Sequence, residues 1–92
     1  MFETLGGGMV AKRVVYSRQA SRTLARIPTN ESKRIIAKIE QYAGDPSSQA
    51  KNVVKLQGRP GYRLRVGDWR VIFDEDDKVL DVEKIASRGN VY

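Results

Sequence analysis

The stretch LQGRPGYRLRVGDWRVIF, residues Leu56 to Phe73, decides how this chain folds. Its centre, Gly67-Asp68, is a Gly-X pair flanked on both sides by alternating residues, a strong signal for a tight hairpin with a type II′ turn. With these two residues at the turn, Val66 faces Trp69, Arg65 faces Arg70, Leu64 faces Val71, Arg63 faces Ile72 and Tyr62 faces Phe73. Side chains alternate faces along a strand. One face therefore carries Tyr62, Leu64, Val66, Trp69, Val71 and Phe73 and reads as a core. The other carries Arg63, Arg65, Arg70 and Ile72. Like charges directly opposed on a sheet destabilise it, and an anion bound between them, phosphate in the first instance, is one natural reason to keep them.

What precedes the hairpin supplies a cover for its apolar face. Lys12 to Tyr16 (KRVVY) reads as a first strand. Ser17 can cap the helix that follows, in which Ala20, Leu24 and Ile27 recur at helical spacing and Arg18, Arg22 and Arg26 take another face. Pro28 stops it. Thr29 and Asn30 are both capable caps for a second helix, with Glu31 at its positive end. Ile35, Ile36, Ile39, Tyr42 and Ala43 form its apolar stripe, with Lys33, Arg34 and Lys38 outward, and Gly44 and Pro46 end it. So short a link between helices predicts an antiparallel pair.

After the second helix, Asp45 to Ala50 is a polar loop, and Val53, Val54 and Leu56 lead into a turn at Gly58 to Gly61. Beyond the hairpin, Asp74 to Asp77 is an acidic loop and Lys78 to Ile85 the last strand. The order β-α-α-β-β-β predicts an α+β domain: a two-helix hairpin packed on one face of a small antiparallel sheet, with the arginine face left open. Residues 1–8, ending in three glycines, match no periodic pattern and read as a disordered or upstream extension, with Met9 an alternative start. Residues 9–92 then form a single domain.

Composition limits the chemistry. Ninety-two residues allow one small core. There is no cysteine and no histidine. That removes disulfides, thiolate metal sites, Ser-His-Asp and Cys-His nucleophiles and the usual zinc sites, so neither a metal nor another cofactor is expected. No apolar run approaches the ~20 residues of a membrane span, and lack of cysteine fits the cytoplasm. Seventeen basic against eleven acidic residues leave a net charge of +6, which points to a polyanionic or acidic partner, nucleic acid first.

The order of elements, together with KLQG at Lys55 to Gly58, YRLR, WRVIF and the ending SRGNVY, resembles the RelE/ParE superfamily of bacterial toxins from type II toxin–antitoxin pairs, more closely its RelE branch. The resemblance spans about Val10 to Tyr92 and implies a RelE-like, microbial-ribonuclease-like fold. It also implies an endoribonuclease that cuts messenger RNA, commonly on the ribosome, and a cognate acidic antitoxin that holds it inactive in a hetero-oligomer. Carried over by motif, the active site comprises Arg63, Arg65, Arg70, Arg88 and Tyr92, and Lys51, Lys55 and Arg59 add contacts to the RNA backbone.

RNA can be cut without a metal when its own 2′-hydroxyl attacks the adjacent phosphate. A base must take the 2′ proton, a donor must help the 5′ oxygen leave, and cations must stabilise the phosphorane. Arg65 and Arg70 suit the cation clamp, because guanidinium meets phosphate in a bidentate way. Tyr92 would stack on a base or assist proton transfer, and Arg88 would hold a flanking phosphate or protonate the leaving oxygen. The chain departs from better-known relatives in three places. Arg63 and Arg65 replace lysines, and arginine is a poor general base. Ser87 stands where many relatives have histidine. Tyr92 is the last residue, so a terminal carboxylate would sit beside it and repel RNA. Other readings are an arginine face paired with Asp81 and Glu83, a ParE-like inhibitor of DNA gyrase, or a catalytically inactive homologue that binds RNA or antitoxin.

Overall fold

The computed structural model describes residues 11–90, the side chain of Asn90 excepted. The proposed extension over residues 1–8, Met9 and Tyr92 lie outside the described residues. The chain runs through β1 (Arg13–Tyr16), α1 (Arg18–Arg26), α2 (Thr29–Gly44), a 3-10 segment (Pro46–Asn52), β2 (Val53–Lys55), β3 (Tyr62–Val66), β4 (Trp69–Glu75), β5 (Val79–Ser87) and a last 3-10 turn (Arg88–Asn90). The strands form one sheet in the order β1-β5-β4-β3-β2. The α+β architecture is as the sequence predicts, with two differences. A short fifth strand, β2, pairs with β3 where only a lead-in was expected. The sheet is also mixed, because β1 runs parallel to β5. Two helices intervene between β1 and the hairpin, so nothing obliges β1 to run antiparallel to its neighbour.

The hairpin register is the one read from the sequence: Tyr62 opposite Phe73, Arg63 opposite Ile72, Leu64 opposite Val71, Arg65 opposite Arg70 and Val66 opposite Trp69. Gly67 has φ of 58°, as the first position of a primed turn requires. Leu64, Val66, Val71 and Phe73 are buried with Leu80, Val82 and Ile85 of β5 under Ala20 of α1 and Ile35, Ile39, Tyr42 and Ala43 of α2. Phe73 is the largest of the fully buried side chains, with the Tyr42 ring tilted against it at 5.1 Å and the Tyr62 ring stacked on it at 5.5 Å.

The ends of the helices follow local chemistry. Ser17 Oγ accepts from the Ala20 amide at 3.0 Å, capping α1 as expected. Ile27 ends α1 in an extended conformation (ψ 166°), which Pro28 imposes on the residue before it. α2 differs from expectation. Pro28 occupies its cap position without a side-chain hydrogen bond, and Thr29 and Asn30 are already helical. β1 ends opposite Val82, and α1 then takes over the β5 edge. Gln19 bonds both the amide and the carbonyl of Ile85, at 3.0 and 3.2 Å, and Ser17 Oγ donates to the Glu83 carbonyl at 2.6 Å.

The face opposite the helices is less open than the sequence suggested. Ile72 shares that face with Arg63, yet it is only 4% exposed. The segment after β2 arches over it. The Leu56 amide bonds the Gly61 carbonyl at 3.0 Å, and Arg59 reaches across the sheet to Glu83 on β5 at 2.9 Å.

Candidate functional site

The opposed arginines lie at the hairpin end of the sheet. Arg65 donates to Asn52 Oδ1 at 3.2 Å, while Arg70 turns back to the carbonyls of Gly67 and Trp69 at 2.9 and 3.0 Å. Each guanidinium is thus drawn to a separate neutral acceptor, which eases their repulsion and keeps both charged groups at one surface. Arg88 joins them because its amide bonds the Asp68 carbonyl at 2.8 Å, docking the chain after β5 on the hairpin turn.

These three side chains line a cavity of about 550 Å³ together with Arg34 and Lys38 of α2, Asn52 and Asp68. Among the described residues, five cations and one carboxylate line it. Arg34 and Lys38 were read only as part of a solvated helix face. Their i,i+4 spacing was the available signal, since it stacks them on one side of α2, but which element that side meets depends on how α2 crosses the sheet. Arg34 is held in place by Glu31 at 3.7 Å, and Glu31 also accepts from the Trp69 indole at 2.9 Å. The Arg34 guanidinium packs against Gly67, where any Cβ would collide with it.

Arg63 lies apart from this group. It lines a second cavity, about 890 Å³, with Lys55, Arg59 and Lys84 as further cations and Val54, Leu56 and Ile72 as its apolar part. Of the residues singled out from the sequence, the first cavity therefore brings together Arg65, Arg70 and Arg88, and the second Arg63, Lys55 and Arg59. Lys51 is exposed on the 3-10 segment and lines neither. Tyr92 falls outside the described residues.

For Arg65 and Arg70, the alternative pairing with Asp81 and Glu83 does not match the register. A bulge between Ile72 and Phe73 leaves Glu83 without an opposing residue and sets Asp81 against Asp74. On β5, Lys84 and Ala86 stand beside Ile72 and Arg70 instead. Among the described residues, no three His, Cys, Asp or Glu side chains cluster as a metal site needs, and no helix is long and apolar enough to cross a membrane.

Residues 14–92 match the family model of the ParE toxin of the type II toxin–antitoxin system parDE. Among solved structures, an archaeal RelE–RelB complex from Pyrococcus horikoshii OT3 is similar at 30% identity, with 89% of this chain and 100% of that one covered and a TM-score of 0.72. The Escherichia coli RelBE toxin–antitoxin complex is similar in fold at 22% identity over 84% of this chain and 96% of that one, with a TM-score of 0.66. The E. coli DinJ–YafQ complex gives 20% identity, 90% and 99% coverage and a TM-score of 0.61. No curated protein sequence is detectably similar. The sheet, its helical cover and these matches agree: the chain is a toxin of the RelE/ParE superfamily of type II toxin–antitoxin systems.

Proposed function

We propose that this toxin is a metal-independent endoribonuclease that cuts messenger RNA during translation and is neutralised by a cognate acidic antitoxin. The observation that carries the reading is the convergence of Arg65, Arg70, Arg88, Arg34 and Lys38 on one cavity at the hairpin end. Preorganised cations of this kind stabilise the dianionic phosphorane at no cost of reorganisation. In the reaction, the 2′ oxygen forms a bond to phosphorus and the bond to the 5′ oxygen breaks. This leaves a 2′,3′-cyclic phosphate and a 5′-hydroxyl. Arg65 and Arg70 would grip the scissile phosphate and Arg88 a flanking one. Arginine holds its proton, so the 2′ proton needs another acceptor. Among the described residues, Asp68 is the one carboxylate lining the cavity, and Lys38 the one ammonium able to give a proton to the leaving oxygen. Tyr92, from the family resemblance, would stack on a base.

A second reading has its own support. The family model is that of ParE, and a ParE-like toxin would use the same cations on DNA gyrase. A catalytically inactive homologue would bind and do neither. Primer extension on messages from a translating extract separates them. The ribonuclease reading expects breaks within translated codons that Arg70→Ala strongly reduces. A gyrase inhibitor would leave messages intact and trap cleaved DNA, and an inactive binder would leave both untouched.

A further inference from the structure

The register sets two rungs side by side on the face away from the helices. Val54, Arg63, Ile72 and Lys84 are neighbours across β2, β3, β4 and β5. The next rung along the same face holds Arg65, Arg70 and Ala86. The rungs are two residues apart, about 7 Å, close to the span of one nucleotide in an extended strand. One rung is a cation pair. The other alternates apolar and cationic side chains, Val54 and Ile72 on either side of Arg63 with Lys84 beyond, and all four line the cavity of about 890 Å³.

We propose that this cavity receives a single unstacked base of the RNA, one nucleotide from the phosphate held by Arg65 and Arg70, and that Gln57 reads its edge. The inference rests on the ribonuclease reading, whose phosphate site it adjoins. An unstacked base needs a floor it can lie on and polar groups at its rim. Leu56 and Val54, the latter 47% exposed, supply the cavity's apolar surface, with the buried Ile72 beneath. Lys84 brings donors to the rim, while the Gln57 amide is both donor and acceptor, the combination that can distinguish base edges. Glu83 is engaged by Arg59 at 2.9 Å, which removes the carboxylate most able to repel a nucleotide there. Continuity with the Arg65–Arg70 rung one pleat away favours an RNA base over an acidic peptide here.

The test is an abasic scan. Single-stranded RNA pentamers, each lacking one base at a different position, are titrated at low salt against the full chain and against its Val54→Ser and Gln57→Ala forms. One abasic position should weaken binding about tenfold, or ~1.4 kcal/mol. Val54→Ser should flatten that effect. Gln57→Ala should leave it in place but erase the preference among the four bases at that position. An even scan with RNA still bound overturns this inference and spares the phosphate site. No binding of any pentamer overturns both. If an acidic peptide, and not RNA, shifts the methyl resonances of Leu56 and Ile72, the cavity belongs to a protein partner and the inference fails.

Discussion

Arg65 and Arg70 stand directly opposite each other on the β3–β4 ladder, each guanidinium bonded to a neutral acceptor and neither to a carboxylate among the hydrogen bonds described. That placement is a stability cost kept at a cationic cavity, and it separates function from folding. Arg70→Ala should lower message cleavage by roughly 10²–10³, the usual effect of removing one preorganised donor. The same change should leave the thermal midpoint level or raise it, since a like-charge pair is removed. Cleavage assays and thermal melts on one preparation check both halves.

Arg34 and Lys38 reach the same cavity from α2, the other layer of the molecule. Both add positive charge where the RNA backbone would lie, so replacing either by alanine should weaken RNA binding most at low salt. It should also flatten the dependence of log K on log salt by about 0.7 for each phosphate no longer neutralised. Lys33→Ala, a neighbour in sequence that lines neither cavity, should leave the slope unchanged. Fluorescence anisotropy from low to moderate salt measures this.

Gly67 joins the hairpin to the site. Its φ is 58°, and the Arg34 guanidinium occupies the place of its missing Cβ. Gly67→Ala should cost about 1–2 kcal/mol for the left-handed backbone alone. It should also push Arg34 away and weaken RNA binding beyond what the lower stability explains. Urea unfolding and RNA titration of the variant report the two effects separately.

Two tyrosines predict opposite responses. Tyr42 donates to Glu75 Oε2 at 2.5 Å, and Lys12 bonds the other oxygen of that carboxylate at 2.6 Å. The Tyr16 hydroxyl is buried with no hydrogen-bond partner among the described residues. Tyr42→Phe should destabilise by about 1.5–3 kcal/mol, the value of a hydrogen bond to a charged group, whereas Tyr16→Phe should cost nothing or stabilise. Burial, then the bond to Glu75, raises the Tyr42 pKa; burial, then Glu40, raises that of Tyr16. Above the ordinary tyrosine pKa of about 10, the unfolded chain releases these protons while the folded chain keeps them, so stability falls with rising pH. Urea midpoints from pH 8 to 11 should show the fall, reduced in each Phe variant.

The hairpin was legible in full because alternation and a Gly-X turn are local signals: every opposed pair from Tyr62–Phe73 to Val66–Trp69 could be written down from the sequence. The parallel pairing of β1 with β5 was not, because it joins residues more than sixty apart and depends on where two helices deliver the chain. The site divided in the same way. Arg65 and Arg70 follow from register. Arg34 and Lys38 follow from helix packing, and the separation of Arg63 into a second cavity follows from the arch over Ile72 that Arg59 and Glu83 close. Neither packing nor a loop's path is written in periodicity.

The most direct test of the ribonuclease reading is the chemistry of the cut end. The purified toxin is added to ribosomes translating a defined message, and the upstream fragment is analysed by mass. Transesterification by the 2′-hydroxyl predicts a fragment ending in a 2′,3′-cyclic phosphate or its hydrolysis product. It also predicts loss of the cut when the nucleotide before it lacks its 2′-hydroxyl, and no fragment with the Arg65→Ala, Arg70→Ala double variant. Intact message under these conditions, or a cut that survives removal of the 2′-hydroxyl, would contradict it.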